Sequence, residues 1–242
     1  MSYHQEAANL LDKNKSGLSE FLNLLTNSLH PDRIAVIKLS ALNMFGSLTF
    51  DYHLIEDEEQ LDPNQEKFEL ILGDLPLNIK KVDSKLYHKG KVNKNWDLLY
   101  RALHLLKPGG MAAFIVEPAI LFSSKGVKVL RILEKEGYVY QAALNTPAQI
   151  LAPITEFRPI LLLFSSEACE QVFIGEIGIN NQLLVANLLS RTTTDNLDTG
   201  RLIAKDGFKN FSKHQTDGKF ENLKKHLKNY TIYQLSQVVG AV

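Results

Sequence analysis

Residues 68–78 read FELILGDLPLN, and this stretch decides the fold class. Its apolar run ends abruptly at Gly73 and Asp74, and Pro76 then imposes a stiff turn. Residues 103–118 follow as LHLLKPGGMAAFIVEP. The order is a buried strand that ends in an acidic residue, then a helix, Pro-Gly-Gly and a second buried strand. In α/β proteins this order places a ligand site at the strand ends. The pattern predicts an α/β fold with a mostly parallel sheet.

The composition limits the class of protein. The 242 residues include 27 basic and 27 acidic side chains, so a surface that binds nucleic acid would have to be a local patch. A hydrophobic share of 45% and a charged share of 22% are typical of a soluble globular protein. The single Cys169 excludes an intramolecular disulfide, and neither a signal peptide nor a membrane-spanning apolar run is visible. These features predict a cytoplasmic protein.

Hydrophobic periodicity predicts the elements before residue 68. Residues 16–29 carry apolar side chains at helical spacing and predict an amphipathic helix. Residues 31–45 are ambiguous: we favour a helix slightly, but residues 33–39, RIAVIKL, would equally form a short strand. Residues 48–55 alternate well enough to predict a strand.

The later elements follow from the same reasoning. Residues 80–95 predict a polar loop, and residues 96–106 predict a helix that Pro108 and Gly109 terminate. The remaining predictions are an added edge strand over 171–177, a helix over 181–189, a loop over 191–200, a helix over 220–227 and a strand or docking tail over 230–239. The predicted organisation is a helical segment over 1–30, an α/β domain over 31–178 and a helical extension over 179–242.

Residues 68–165 resemble the second half of the catalytic domain of adenine-specific (N6) DNA methyltransferases, and most of all the modification subunits of type I restriction systems. That family has an Asn/Asp-Pro-Pro-Tyr/Phe motif after a strand like FDLILANPPF; the matching residues here are Asp74, Leu75, Pro76 and Leu77. The family's LLKPGG and P..iLF segments match residues 105–110 and 118–122. Its next helix, strand, loop and last strand match residues 127–136, 138–144, 147–155 and 159–164. The resemblance implies a Rossmann-like fold of the type that uses S-adenosylmethionine.

The resemblance also implies a catalytic set, namely Asp74, Leu75, Pro76 and Leu77. In the family, the acidic or amide side chain and the carbonyl of the first proline accept hydrogen bonds from the adenine amine, while the aromatic residue stacks on the flipped-out base. Asp74 keeps an acceptor, whereas Leu75 lacks the restraint of a proline ring and Leu77 lacks a π face. A missing stacking partner is worth about 1–3 kcal/mol per base. Catalysis is therefore expected to be impaired, and Asp74 would otherwise serve as a local turn or cap residue.

The cofactor implied by the resemblance is S-adenosylmethionine, which in this family needs a Gly-rich turn after the first strand. Before residue 68 the chain has only Gly17 and Gly46, and the nearest candidate is LSALNMFGSL, residues 39–48. An acidic residue near the end of the next strand contacts the cofactor's adenine in the family. Glu56 and Asp57, together with Asp74, are therefore the cofactor-binding candidates, with a solvated acidic loop as the alternative. We expect an abbreviated first half of the sheet and a degenerate or missing cofactor site.

Two further segments are candidates for contacts with DNA. A lysine-rich loop follows Asp74, where DNA approaches in the family, and lysines that neutralise phosphates give sequence-independent affinity. The DNA-binding candidates are Lys80, Lys81, Lys85, Lys89 and Lys91, unless the loop is merely solvated. The family's loop that helps to hold the target base corresponds to Pro147, Pro153 and Thr155, unless it is an ordinary strand connection. The histidines show no ligand spacing and Cys169 stands alone, so no metal site is predicted.

Three functions are compatible with these residues. The favoured hypothesis is an adenine methyltransferase-like domain of the restriction-modification type that has lost efficient catalysis and acts in binding DNA or a partner. The second is an active enzyme with divergent motifs that transfers a methyl group directly to N6 of adenine. The third is a non-enzymatic interaction module that docks a specificity subunit or another partner through its C-terminal tail.

Overall fold

The computed structural model describes residues 3–64, 66–77, 80–86, 90–152, 155–205, 208, 210, 211 and 214; for residues 3–14 it describes the backbone alone. The strands are β1 (Ile34–Lys38), β2 (His53–Ile55), β3 (Phe68–Asp74), β4 (Lys81–Val82), β5 (Val92–Asn93), β6 (Leu106–Val116), β7 (Val139–Asn145), β8 (Ile160–Ser165), β9 (Gln171–Glu176) and β10 (Arg201–Ala204). The helices are α1 (Tyr3–Leu29), α2 (Lys94–Leu103), α3 (Ala119–Phe122), α4 (Ser124–Lys135) and α5 (Asn181–Ser190).

Eight of these strands form one sheet in the order β10-β9-β7-β8-β6-β3-β1-β2. Strands β2, β1, β3 and β6 are parallel, and β8 is antiparallel to both β6 and β7. Because β9 is parallel to β7, six strands point the same way, and only β8 and β10 run against them. The mostly parallel sheet predicted from the sequence is therefore confirmed, and the carboxyl ends of six strands lie at one edge.

Helices cover both faces of the sheet, as a parallel core requires. Leucine and phenylalanine side chains of α1 pack with α5 on one face, and those of α2 pack with α4 on the other. Strand β3 is buried along nearly its whole length, which explains why its sequence is a near-continuous apolar run. The apolar stripe over residues 16–29 correctly predicts α1, although the helix begins further back, at Tyr3.

The preference for a helix over residues 31–45 is wrong, and the strand alternative is correct. Residues Ile34–Lys38 form β1, which hydrogen-bonds to β2 on one side and to β3 on the other. The apolar RIAVIKL stretch fits both periods, and burial on both faces of the sheet decides in favour of the strand. Among the described residues between β1 and β3, only a 3-10 turn at Glu58–Gln60 is helical, so the first half of the sheet is short as predicted.

Four other expectations need correction. The predicted strand over 48–55 shrinks to His53–Ile55, because residues 47 and 49 bond to α1 instead of to a neighbouring strand. Pro108 and Gly109 lie inside β6 beside a register shift and do not end the helix, which closes at Leu103. Strand β9 is not at the edge, because β10 pairs outside it. The polar loop over 80–95 contains the short β4–β5 pair and the start of α2.

The rest of the C-terminal expectations divide into two groups. The helix over 181–189 is confirmed as α5, and residues 191–200 form the irregular connection to β10. The predictions for 220–227 and 230–239 fall outside the described residues. The three-part organisation at residues 30 and 178 stays a prediction.

Candidate functional site

The candidate site lies at the carboxyl edge of the sheet, between β1 and β3. The chain leaves β1 towards β2 on one side and returns to β3 on the other side of β1, so the two strands flank a topological switch point. Ligands of open α/β sheets bind in the crevice outside the strands at such a point. The sequence places Asp74 at the end of β3 and residues 39–49, the β1 segment, at the end of β1.

Asp74 is fully buried in this crevice and is bonded to the β1 segment. Its Oδ2 accepts a hydrogen bond of 2.6 Å from the Met44 N–H, and its carbonyl accepts from the N–H groups of Leu39 and Ser40 at 3.1 Å each. Burial raises the pKa of Asp74 to about 6, against the lowering effects of the Met44 N–H, the Ser40 hydroxyl and the charges of Lys15 and Lys38. Asp74 therefore ties the end of β3 to the β1 segment.

The β1 segment fills the crevice with its own side chains. Met44 and Phe45 are fully buried and belong to the same apolar cluster as Leu18 and Phe21 of α1. The N–H groups of Leu39, Ser40 and Met44, which a Gly-rich turn would present to a ligand, are instead bonded to Asp74. As a result, Asp74 has no solvent-exposed surface in this structure.

A polar stripe of α1 holds the β1 segment from its other side. Lys15 Nζ donates to the Leu42 carbonyl at 2.7 Å, and Ser19 Oγ donates to the Phe45 carbonyl at 2.5 Å. One turn further on, the Asn23 amide donates to the carbonyl of residue 47 and accepts from the N–H of residue 49. The three side chains are four residues apart and so share one face of the helix. We call Lys15, Ser19 and Asn23 the polar stripe.

Gly46 allows this close contact between the β1 segment and α1. Its φ is +57°, and a Cβ at this position would lie 2.5 Å from Ser19 Oγ. The sequence singles out Gly46 as the nearest candidate for a cofactor turn. In the structure Gly46 lies against α1. With the β1 segment in this arrangement, the residues of the crevice do not fit S-adenosylmethionine.

Glu56 and Asp57 lie at the carboxyl end of β2 with exposed side chains. Both backbone N–H groups donate to Gln60 Oε1 at 3.0 Å, while Asp57 Oδ1 accepts from the Glu59 N–H and caps the 3-10 turn. Asp57 thus has a structural role that accounts for its position. The role of Glu56 and Asp57 in cofactor binding stays a prediction.

The turn after β3 is fixed by a residue that sequence reasoning missed. Asn95, at the start of α2, is fully buried, and its Nδ2 donates to the Pro76 carbonyl at 3.2 Å and to the Ile115 carbonyl at 3.4 Å. Leu75 is buried in the cluster beneath α2, and Leu77 is half-buried. Asn95 therefore ties the turn at Pro76 to the end of β6. A lone asparagine before the apolar face of a helix gives little signal in a sequence.

Glu117 is a second polar residue that was not singled out. It follows β6 directly, its side chain is buried, and Oε2 accepts a hydrogen bond of 2.6 Å from Asn93 Nδ2. Burial raises the pKa of the Glu117 carboxyl, and the Asn93 bond partly offsets this. The rule that polar residues follow buried parallel strands, applied to IVEP at residues 115–118, would have found it.

The predicted lysines border the same edge on the outside. The side chains of Lys80, Lys81, Lys85 and Lys91 are exposed on or beside the β4–β5 pair, and Lys89 falls outside the described residues. Lys125 Nζ of α4 donates to the Lys91 carbonyl at 2.8 Å and so anchors the β4–β5 pair. We call this strand pair, with Lys80, Lys81, Lys85 and Lys91 on or beside it, the lysine hairpin. Their role in binding DNA stays a prediction.

The proposed target-base loop is buried at its middle, whereas residues 148, 149 and 155 are exposed. Ile150 and Leu151 are buried in the cluster beneath α1, and Thr155 Oγ1 accepts from the N–H of residue 157. The Pro147 ring lies 3.3 Å from the point where a Cβ on Gly17 of α1 would stand. Pro153 falls outside the described residues, and the contact of this loop with a base stays a prediction.

A cavity of about 740 Å³ lies directly beside the filled crevice, lined by the polar stripe of α1 and by residues 43, 46, 47 and 49 of the β1 segment. Another, of about 430 Å³, lies at the opposite edge near His30 and Arg191. Within the described part of the chain, no three His, Cys, Asp or Glu side chains group in a way that could hold a metal ion. None of the described helices has the length and apolar character to cross a membrane.

Comparison with solved structures identifies the class of fold. A type I restriction-modification methyltransferase subunit from Streptococcus thermophilus matches with a TM-score of 0.56 and 11% identity, over 79% of this chain and 55% of that one. A chain from a type I restriction-modification system, solved to explain its complex assembly and conformational transition, matches with a TM-score of 0.52 and 11% identity, over 87% and 61%. A provisionally assigned class I S-adenosylmethionine-dependent methyltransferase from Listeria monocytogenes matches with a TM-score of 0.54 and 12% identity, over 74% and 71%.

The predicted fold is thereby confirmed: the chain has the Rossmann-like fold of S-adenosylmethionine-dependent methyltransferases, and type I modification subunits are among its structural neighbours. At such low identities the likeness concerns the fold. The chain spans less than two thirds of the length of the two type I chains. No protein-family model and no curated protein matches the sequence.

Proposed function

We propose that this protein is a methyltransferase-like domain of the restriction-modification type that is impaired in methyl transfer and acts by binding DNA or a partner subunit. One observation carries the proposal. The Asp74 carboxylate, which the family resemblance makes the acceptor for the adenine amine, is buried and bonded to the Met44 N–H inside the switch-point crevice.

The impairment follows from what an adenine would need to reach. A base could bond to Asp74 only after the β1 segment had left the crevice, which would expose Met44 and Phe45 to water. Exposing a fully buried Met or Phe side chain costs about 1.5–3 kcal/mol each. Leu77 in place of an aromatic residue removes the stacking surface for the base as well.

The lysine hairpin supports the binding role. Its exposed lysines lie next to the strand-end edge, while the chain as a whole is neutral, so the positive charge is local. Such a surface neutralises phosphates without reading bases, which gives sequence-independent and salt-dependent affinity. A protein partner is the alternative ligand, since one structural neighbour comes from an assembly of a type I restriction-modification system.

The cofactor is tested by calorimetry with S-adenosylmethionine, backed by thermal unfolding at increasing cofactor concentration. A ligand that binds only the folded state raises its stability by RT ln(1 + [L]/Kd). We expect no binding heat and no stabilisation at millimolar cofactor, together with no methyl transfer to adenine-containing DNA. Micromolar binding with methyl transfer would refute the impairment and establish the active enzyme with divergent motifs.

DNA binding is tested with a charge-matched pair of double variants. Lys81→Gln with Lys85→Gln removes two charges from the hairpin, and Arg131→Gln with Lys135→Gln removes two from the exposed end of α4, which leads away to β7. We expect only the hairpin variant to weaken duplex binding and to reduce the slope of log K against log salt, by about 0.9 for each phosphate that is no longer neutralised. Equal behaviour of the two variants would exclude the hairpin as the DNA surface.

A further inference from the structure

The middle of α1 contacts three segments that follow different strands of the sheet. The polar stripe bonds to the β1 segment, Gly17 packs against Pro147 after β7, and Asn181 after β9 donates to the Gly17 carbonyl at 2.9 Å. Asn181 Nδ2 also donates to Glu20 Oε2 at 2.8 Å. One short stretch of helix thus contacts the segments that follow three of the six strands ending at this edge.

The polarity of this stretch exceeds what packing on a sheet requires. Lys15 and Ser19 are buried, with exposures of 7% and 8%, although burial of a lysine ammonium is costly unless it is hydrogen-bonded. The apolar side chains of α1, beginning with Leu18 and Phe21, already face the sheet. The polar stripe faces the β1 segment instead, and its bonds go to backbone groups of that segment.

The β1 segment is therefore held by hydrogen bonds from two sides, β3 and α1. It donates its Met44 N–H to Asp74 of β3, and its Leu42 and Phe45 carbonyls accept from the polar stripe of α1. On the α1 side, Lys15 and Ser19 each make one hydrogen bond to the segment. Such bonds can be released without unfolding the sheet, because proteins open locally at a lower free energy than they unfold globally.

We propose that α1 is an autoinhibitory strap: its polar stripe keeps the β1 segment in the crevice, and releasing the stripe uncovers Asp74. The strap rests on the proposed function in taking this crevice as the closed site, and it adds how the closure is maintained.

The strap is tested by hydrogen–deuterium exchange of the full chain in a double variant, Ser19→Ala with Asn23→Ala. Ser28→Ala is the control, because the Ser28 hydroxyl donates to the Leu24 carbonyl within α1, whereas the Ser19 hydroxyl donates to the Phe45 carbonyl of the β1 segment. We expect exchange of the amides of residues 39–49 to accelerate about tenfold in the double variant. Exchange in β6 and β8 should stay as in the wild type.

Two results would overturn the strap. One is unchanged exchange over residues 39–49 in a folded double variant, which would mean that Asp74 and the core alone hold the segment. The other is equal acceleration throughout β3, β6 and β8, which would mean that the stripe supports the whole fold. A thiol-labelling experiment gives an independent measurement: Met44→Cys in a Cys169→Ser background should label faster when Ser19→Ala and Asn23→Ala are added, and an unchanged labelling rate would contradict the strap.

Cofactor titration of the same proteins separates the two proposals. If exchange accelerates and only the double variant binds S-adenosylmethionine, the strap is supported. The strap is then the cause of the impairment in the wild type. Accelerated exchange without any binding supports the strap as the closure of a site that has lost its cofactor. Micromolar binding by the wild type refutes the proposed impairment, whereas the strap itself fails on unchanged exchange.

Discussion

The segments that follow β1 and β3 start at the same edge of the sheet but differ in how far their side chains are exposed to solvent. The β1 segment turns inward, buries Met44 and Phe45 and bonds to Asp74 and α1. The segment after β3 buries Leu75 and then forms the lysine hairpin, whose described lysine side chains are exposed. The difference teaches that one edge of this fold can hold a crevice filled by its own chain next to an exposed polar surface.

The local sequences explain why the β1 segment is buried and the lysines after β3 are exposed. LSALNMFGSL, residues 39–48, combines five large apolar side chains with one glycine, so it gains more from burial than from exposure. The sequence over residues 80–94 contains six lysines and one acidic residue, and such a charge density opposes burial. The following predictions test whether the two segments differ as sharply in energy as they do in position.

The largest effect is expected from Phe45→Ala. Truncating a fully buried phenylalanine costs about 3–5 kcal/mol, so the free energy of unfolding from urea titration should fall by that amount. Phe157→Ala, at a side chain that is 42% exposed, is the control and should cost well under half as much. Equal losses of stability in the two variants would mean that the β1 segment does not fill the crevice.

Asp74 should make stability depend on pH in an unusual direction. Its folded-state pKa of about 6 lies above the ordinary 3.8, so the folded protein binds the extra proton between these values and stability falls as pH rises through this window. The decrease amounts to about 3 kcal/mol. Asp74→Asn keeps the oxygen that accepts from Met44 and should lack this part of the pH dependence.

Unfolding of the wild type and Asp74→Asn at several pH values between about 4 and 7 measures the difference. A constant difference in free energy across this range would show that Asp74 is solvated. That result would place the carboxylate within reach of a ligand and would remove the contrast with the exposed hairpin.

Gly46→Ala and Gly109→Ala separate backbone strain from the contact with α1. Both glycines have positive φ, where an alanine costs about 1–2 kcal/mol. Only at Gly46 would the new Cβ meet a neighbour, Ser19 Oγ, since no described atom lies within 4 Å of the corresponding point at Gly109. Gly46→Ala should therefore lower the melting temperature further, and equal shifts would contradict close packing of the β1 segment on α1.

The smallest effect on stability is expected in the lysine hairpin. Lys81→Gln with Lys85→Gln should change the free energy of unfolding by no more than about 0.5 kcal/mol, because both side chains are exposed. Urea unfolding beside the DNA titration makes the comparison. A decrease near that of Phe45→Ala would mean that the hairpin, too, is a structural element.

The sequence predicts those features that depend on local patterns. The apolar run of β3, its end at Asp74 and the helix of residues 181–189 are all visible as periodicity and punctuation. Strand β1 could not be decided, since RIAVIKL suits a helix face and a buried strand equally. Its surroundings in the sheet settle the choice, and those surroundings are not local.

The crevice itself could not be predicted because its contacts join distant residues. Met44 bonds to Asp74, Lys15 bonds to Leu42, and Asn95 bonds to Pro76, each pair at least 19 residues apart. A side chain such as Asn95 or Glu117 looks ordinary until the strand ends are assembled around it. The identity of Asp74 as an edge residue was predictable, but its partner was not.

The bond between Asn181 and the Gly17 carbonyl spans 164 positions of the chain. During synthesis from the N-terminus, α1 emerges first, yet the last of these contacts has to wait until α5 has left the ribosome. Contacts of such long sequence separation also slow folding, because the loop between them must close first. The order of the elements along the chain therefore leaves a period in which β1 to β9 have been synthesised while α1 still lacks its bond to Asn181.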